Sequence, residues 1–152
     1  MKKTIANNTI KNKRAYFDYE IIAPFVAGLV LAGTEIKSLR EGKANLTDGF
    51  CSFTNGELHA RNIHISEYFE GTYNNHRPKH DRKLLLNKRE LAKIKELLKN
   101  KSHTVIPLKI FFTEKGWAKI EIGVARGKKE FDKRESLKTK YAQREISNAM
   151  KH

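Results

Sequence analysis

The pattern that most constrains the fold lies between residues 106 and 124, where apolar side chains occupy alternate positions on both sides of a turn. Every second residue from Ile106 to Phe112 is apolar, and the same is true from Ala118 to Val124. Side chains on one face of a strand repeat with a period of two. The sequence therefore predicts a β-hairpin whose apolar residues share one buried face, with its turn at residues 114–116.

Two further strand regions are predicted before this hairpin. Ile21 to Val30 is expected to form one long bent strand, with Gly28 at a bulge or corner. Asn55-Gly56 is a turn signal between Phe50 to Phe53 and Leu58 to Ile65, which predicts a second hairpin.

Capping signals predict two short helices. Thr34 is placed to cap a helix from Glu35 to Glu41, which Gly42 ends. Asn87, followed three residues later by Glu90, marks the start of a second helix. The fold is therefore expected to be mainly β with short helices, in the form of a small OB-type β-barrel with one or two packed helices.

The two ends of the chain differ from this domain, which is assigned to residues 13–127. Residues 1–12 contain few large apolar groups and are expected to be a flexible basic arm. Residues 128–152 hold scattered apolar side chains among twelve charges. Such a basic tail buries too little surface to offset its ordering entropy, so it is expected to be disordered when free.

Charge points to the class of partner. The chain has 31 Lys and Arg against 17 Asp and Glu, a formal net charge of +14. The excess is confined to residues 1–15, 76–101 and 126–152, which indicates a polyanionic partner, nucleic acid before anionic membrane. No apolar run approaches 18 residues and the basic start has no apolar segment, so a soluble cytoplasmic protein is expected. The chain is also expected to be a monomer.

Catalytic and metal-binding signals are weak, and no cofactor or metal is expected. Cys51 is the single cysteine, which excludes an internal disulfide and a Cys-built zinc site. His76 and His80 are four residues apart, but Pro78 lies between them and favours a polar loop. Cys51 and His59 face each other across the predicted hairpin, yet free cysteines are usually buried apolar groups.

Aromatic residues beside cations favour RNA over other polyanions. Trp117 precedes Lys119, so the ring can stack an unpaired base while the ammonium holds a phosphate. Arg82 and Lys83 are suited to clamp a nucleic-acid backbone, with Leu85 packing under an RNA loop. Other aromatic rings, Tyr16, Phe50 and Phe53, are assigned to the core.

Several stretches, in order and with matching spacing over about residues 12–150, resemble the small protein B family, the bacterial partners of transfer-messenger RNA (tmRNA, or SsrA RNA). They are Asn12-Lys13-Arg14-Ala15, Ala27-Gly28, Gly33-Thr34-Glu35-Ile36-Lys37-Ser38-Leu39-Arg40, Gly42-Lys43-Ala44-Asn45, Arg82-Lys83-Leu84-Leu85-Leu86, Lys88-Arg89-Glu90-Leu91, Val124-Ala125-Arg126-Gly127-Lys128-Lys129 and Asp132-Lys133-Arg134.

The resemblance implies a non-enzymatic protein that binds the tRNA-like domain of tmRNA and delivers it to the A site of stalled ribosomes. The elongation factor carrying aminoacylated tmRNA is an indirect partner. The tail is implied to fold as a helix in the empty mRNA channel. Two positions depart from the family, since an acidic residue is frequent where this chain has Val26 and a His is common where it has Phe131.

The implied contacts fall into three sets. Those on tmRNA, together with the stacking Trp117, are Asn12, Lys13, Arg14, Arg82, Lys83, Leu85, Lys119, Arg126, Lys128 and Lys129. Those in the decoding centre are Phe131, Asp132, Lys133 and Arg134. Those in the mRNA channel are Lys138, Lys140, Tyr141, Arg144, Ile146 and Met150.

Two alternatives remain open from the residues alone. One is an OB-fold protein that binds single-stranded RNA without a preference for tRNA-like shape. The other is a small ribonuclease built from His and Lys, because such a site leaves no spacing signature.

Overall fold

A computed structural model describes residues 9–128, apart from the side chain of Thr72. In this range the chain forms nine strands, three α-helices and one 3-10 helix. The strands are β1 (Ile10–Lys11), β2 (Tyr19–Leu29), β3 (Ala44–Asn45), β4 (Phe50–Thr54), β5 (Glu57–Arg61), β6 (His64–Ile65), β7 (Arg82–Leu85), β8 (His103–Phe112) and β9 (Ala118–Gly127). The helices are α1 (Ala15–Asp18), α2 (Gly33–Arg40) and α3 (Lys88–Leu97), and the 3-10 helix is Phe69–Asn74.

Six strands form a ring in the order β8-β4-β5-β7-β2-β9, because β9 also pairs with β8. The joint between β4 and β8 is a single antiparallel pair, Cys51 with Val105. β1 extends the sheet by pairing with the far part of β8, and β3 and β6 form a separate ladder. The mainly β fold with short helices is confirmed, and its sheet is a partly open ring rather than a continuously hydrogen-bonded barrel.

The ring encloses the main core, which α2 and α3 help to close. Leu39 of α2 and Ile94 of α3 are fully buried within it. The long β8–β9 hairpin is confirmed, but its apolar residues do not share one face. The register shifts between Pro107 and Lys109, so Ile106 and Leu108 pack in a second cluster against α1. Beyond a β-bulge, the side chains of a strand point to the opposite faces of the sheet from those that simple alternation predicts. The alternating pattern in the sequence does not reveal this change.

The second helix begins as predicted and the first does not. At α3, Asn87 Oδ1 accepts from Glu90 N at 2.8 Å, and Glu90 Oε1 accepts from Asn87 N at 3.1 Å, a capping box. At α2 the N-cap is Ala32, whose N–H donates to Glu35 Oε1 at 2.9 Å. Thr34 lies inside the helix, so its predicted capping role is wrong.

The β4–β5 hairpin is confirmed, with a shorter second strand than expected. Asn55 (φ 52°) and Gly56 (φ 78°) both adopt the positive φ that a type I′ turn requires. The second strand ends at Arg61, because Asn62 also has a positive φ of 58°. His64 and Ile65 then turn away to pair with β3.

The N-terminal arm is only partly as expected. Residues 1–8 lie outside the described residues, but Ile10 and Lys11 pair with β8. Asn12 is 4% exposed, and its side-chain amide donates to Pro107 O at 2.9 Å and to Leu46 O at 3.3 Å. The prediction of a flexible arm is therefore wrong for residues 10–12, because a strand ladder and a buried amide fix them. Among residues 9–128, no helix is long and apolar enough to cross a membrane.

Candidate nucleic-acid interface

Residues distant in sequence meet on the outer side of the sheet. Leu85 of β7 and Lys119 of β9 both pair with Gly28 of β2, and Lys119 pairs in turn with Phe111 of β8. Directly opposed residues of antiparallel strands point to the same face, so these four form one row. A Cβ at Gly28 would lie 3.3 Å from the Cβ of Leu85, so glycine leaves room for this leucine.

A second row runs beside the first. Val26 pairs with Glu121, which pairs with Lys109. Val26 and Leu85 are about half exposed, which leaves apolar surface between the cations. Lys109 Nζ lies 3.9 Å from Glu121 Oε1 and 5.5 Å from the centre of the Phe111 ring. The two rows together are called the outer face below.

Trp117 stands at the rim of the outer face. Its side chain is 68% exposed, although it is the largest apolar group in this part of the chain. The turn that carries it is fixed, since Thr113 N donates to Trp117 O at 2.9 Å and Trp117 N donates to Thr113 Oγ1 at 3.1 Å. A held backbone with a free indole suits base stacking.

A second basic cluster lies at the opposite end of β2 and β9, near α1. Arg126 pairs with Glu20, and Lys128 Nζ donates to Tyr16 O at 2.8 Å. Arg14 is exposed and forms an ion pair with Asp18 at 3.1 Å. From Lys119 to Arg126 the strand advances roughly 23 Å at about 3.3 Å per residue. The cations therefore lie near both ends of β9 rather than at one point.

Arg82 does not belong to this surface, which corrects its predicted role. Its side chain is 1% exposed and pairs with Glu35, also 1% exposed. It further donates to Ile63 O at 2.8 Å and to Pro78 O at 2.9 Å. Strand alternation turns Arg82 inward and Lys83 outward, where Lys83 Nζ lies 2.6 Å from Glu57 Oε2.

The partner of Arg82 is held in its charged form. Burial works to raise the pKa of Glu35, but hydrogen bonds from Ala32 N–H and Arg82 outweigh it, together with the charges of Arg82 and His80. The pKa of this carboxyl therefore lies below its ordinary value. His80 Nε2 donates to the same carboxylate at 2.9 Å. The group is a buried ionic network that ties α2 to the segment before β7.

Asn12 is likewise structural, since the two carbonyl bonds described above occupy its amide nitrogen. Its predicted contact with RNA is wrong for this conformation. Its neighbours Lys13 and Arg14 are exposed, as a contact with RNA requires. Thus the predicted contacts that remain exposed to solvent at least in part are Lys13, Arg14, Lys83, Leu85, Trp117, Lys119, Arg126 and Lys128, whereas Asn12 and Arg82 are buried.

The candidate metal and nucleophile sites are accounted for by packing. His76 Nδ1 lies 2.8 Å from Thr34 Oγ1, and His76 Nε2 donates to Ile65 O at 2.9 Å. Within residues 9–128, no group of three or more His, Cys, Asp or Glu could hold a metal ion. Cys51 pairs with Ala60 rather than His59, and burial raises its pKa to about 12. Its thiol is therefore buried and protonated at neutral pH.

The remaining predicted contacts lie outside the described residues. They are Lys129, Phe131, Asp132, Lys133, Arg134, Lys138, Lys140, Tyr141, Arg144, Ile146 and Met150. Conversely, Lys109 and Phe111 belong to the outer face although sequence reasoning did not select them. Strand alternation was the available signal, but the bulge after Pro107 changes which residues face outward.

Comparison with known proteins gives consistent matches. Residues 9–152 match the family model described as SmpB protein. The chain is 55% identical to the SsrA-binding protein of Phocaeicola vulgatus over 151 residues, with 99% of both chains covered. It is 50% identical to the SsrA-binding protein of Latilactobacillus sakei, covering 96% of this chain and 93% of the other.

A solved structure agrees with these sequence matches. It is described as "tmRNA-SmpB: a journey to the center of the bacterial ribosome", and its matching chain is 44% identical. The TM-score is 0.69, with 85% of this chain and 94% of the other covered. On sequence and fold together, the chain belongs to the SmpB family.

Proposed function

We propose that this protein binds the tRNA-like domain of tmRNA and delivers it to the A site of stalled ribosomes for trans-translation. The observation that carries the proposal is the row in which Gly28 brings Leu85 beside Lys119 on an exposed sheet face. The SsrA-binding proteins to which the chain is similar support the identity of the RNA.

The outer face supplies two kinds of contact. Leu85, Val26 and the Trp117 ring offer exposed apolar surface for unpaired bases, which proteins read by stacking and by their edges. Lys119 and Lys109 stand among them to hold the phosphates. Because the apolar groups lie on a rigid sheet, they favour RNA whose loops already present bases in a matching arrangement.

The α1 end supplies a second contact, roughly 23 Å along β9 from Lys119 at about 3.3 Å per residue. Lys13 and Arg14 precede α1, and Lys128 is fixed to it through Tyr16 O. Arg126 extends the same cluster, and Lys129, which lies outside the described residues, is proposed to add to this contact with RNA. Two separated contacts on one rigid body measure the shape of an RNA, whereas a single basic patch binds any strand.

The tail is proposed to act on the ribosome. Phe131, Asp132, Lys133 and Arg134 would contact the decoding centre, with Phe131 stacking on a ribosomal base. The residues from Lys138 to Met150 would form a helix in the empty mRNA channel, where rRNA phosphates offset the entropy of ordering. No step of this delivery requires bond chemistry by the chain, and its site of action would be the cytoplasm.

Tagging by purified stalled ribosomes tests the proposal. With aminoacylated tmRNA and the elongation factor, the full chain is expected to support addition of the tag to the nascent peptide. Deletion of residues 131–152 is expected to abolish tagging and to leave affinity for tmRNA nearly intact. If the deletion lowered tagging and affinity for tmRNA equally, the tail would act only as an electrostatic arm that binds RNA. Cleavage of tmRNA by the chain would instead favour the alternative that the protein is a ribonuclease.

A further inference from the structure

The outer face contains one acidic side chain among its cations. Glu121 lies between Val26 and Lys109 in its row, and Lys119 precedes it by two residues on the same strand face. Lys11 pairs with Lys109 and extends the row with another cation. A carboxylate repels phosphates. Binding of the RNA backbone therefore does not explain why an acidic side chain lies on a surface that is proposed to bind phosphates.

Contacts with neighbouring side chains leave the Glu121 carboxylate able to accept further hydrogen bonds. Within residues 9–128 its one ion pair is to Lys109, at 3.9 Å, where the lysine side chain is 43% exposed and that of Glu121 is 25% exposed. A pair of this length with a partly exposed lysine contributes little stability. The other acidic groups near the proposed interface are engaged more closely, since Asp18 lies 3.1 Å from Arg14 and Glu57 lies 2.6 Å from Lys83.

The chemistry of a free carboxylate selects among the bases. Its two oxygens are acceptors only, so it pairs with a base edge that presents donors. The Watson–Crick edge of guanine presents N1–H and N2–H side by side. Adenine and cytosine present one amino donor beside a ring nitrogen that is an acceptor, and uracil presents one imino donor between two carbonyls. The edge must be unpaired to be read in this way.

We infer that Glu121 accepts two hydrogen bonds from an unpaired guanine of the bound RNA and so determines base specificity on the outer face. Val26 is the adjacent apolar support for the base, since it opposes Glu121 and is about half exposed. Lys119 is placed for the neighbouring phosphate, about 7 Å along the strand. This inference rests on the proposed function, because the same face is proposed to hold tmRNA.

Kethoxal footprinting tests the contact, since the reagent attacks N1 and N2 of guanines whose Watson–Crick edge is free. The probe is the tRNA-like domain of tmRNA, saturated with the full chain. The wild type is expected to protect at least one unpaired guanine, and Glu121→Gln to restore its reactivity while other protections persist. Glutamine offers one acceptor beside a donor, so affinity is expected to fall about tenfold, or about 1.4 kcal/mol.

Two variants separate base reading from charge. Lys109→Gln removes the partner of Glu121 and also one proposed phosphate contact. Its affinity is therefore expected to fall, but at saturating protein the guanine protection is expected to be retained. Glu96→Gln makes the same charge change on α3, where Glu96 pairs with Lys99, and is expected to leave both protection and affinity unchanged. Thermal unfolding of each variant checks that the fold is retained.

The outcomes are distinct. If Glu121→Gln protects the same guanines as the wild type, or if the wild type protects none, the inference is overturned and binding of tmRNA stands. If Lys109→Gln alone removes the protection, Glu121 is only the partner of that lysine and the inference again fails. If the wild type does not bind the tRNA-like domain, the proposed function itself fails.

Discussion

Replacing Arg82 by alanine should destabilise the protein without removing a contact with RNA. The substitution leaves Glu35 buried without its main cation and removes donors from Ile63 O and Pro78 O. Breaking one side of a buried ion pair costs about 3–5 kcal/mol. Because Arg82 and Glu35 are each 1% exposed, screening by solvent does not reduce this cost, and urea unfolding should show a loss in that range.

Acid should act on the same network. The pKa of Glu35 is lowered in the folded protein, so its contribution to stability is present above its ordinary pKa of 4.5 and is lost as pH falls through the folded value. Without Arg82 two of the lowering causes, its hydrogen bond and its charge, disappear, so the pKa of Glu35 rises toward its ordinary value. The loss of stability as pH falls below 4.5 should then be smaller in Arg82→Ala than in the wild type.

The neighbouring exposed lysine is the matched control for Arg82. Lys83→Ala should barely change urea unfolding, because its pair with Glu57 is open to solvent. Affinity for tmRNA per folded molecule should be unchanged in Arg82→Ala. Unchanged stability with a weakened RNA complex would refute the reasoning and return Arg82 to the interface.

Three further predictions concern other positions. Trp117→Ala should weaken binding of the tRNA-like domain by about 1–3 kcal/mol, measured by fluorescence anisotropy, with no change in unfolding, because the exposed ring stacks one base; equal affinities would make it a solvated rim residue. Asn12→Ala should lower the free energy of unfolding by about 1–3 kcal/mol, because Pro107 O and Leu46 O lose their donor; a loss confined to RNA affinity would contradict this. Cys51 should stay unreactive to Ellman's reagent at pH 8 until the protein is unfolded, because its pKa is about 12 and it is buried; rapid native labelling would disprove the assignment.

Local signals in the sequence predicted the regular elements well. Asn87 with Glu90 and Asn55-Gly56 each specify a structure within a few residues, and both appear as expected. The bulge after Pro107 and the strand at Ile10 depend on long-range pairing with β9 and β8. No local pattern encodes such pairing, so Ile106 was assigned to the wrong cluster.

Only part of the candidate site could be predicted, because the sequence does not show which strands pair or in what register. Lys119 and Leu85 were selected from their neighbours in sequence, and Gly28 brings them together in a way that only the register reveals. Arg82 looked like half of a basic pair, but strand alternation turns it toward Glu35. A basic motif in the sequence therefore does not show whether each of its cations is exposed or buried. That depends on the face of the strand to which each side chain points.

The central claim is that two separated basic regions of one rigid domain recognise the shape of a tRNA-like RNA. The most direct test is to compare binding of the tRNA-like domain of tmRNA with binding of an elongator tRNA while salt is raised. The account predicts a preference of at least about tenfold, or about 1.4 kcal/mol, that persists as salt rises. Equal affinities that fall together with salt would contradict it, because they would describe a general binder of polyanions.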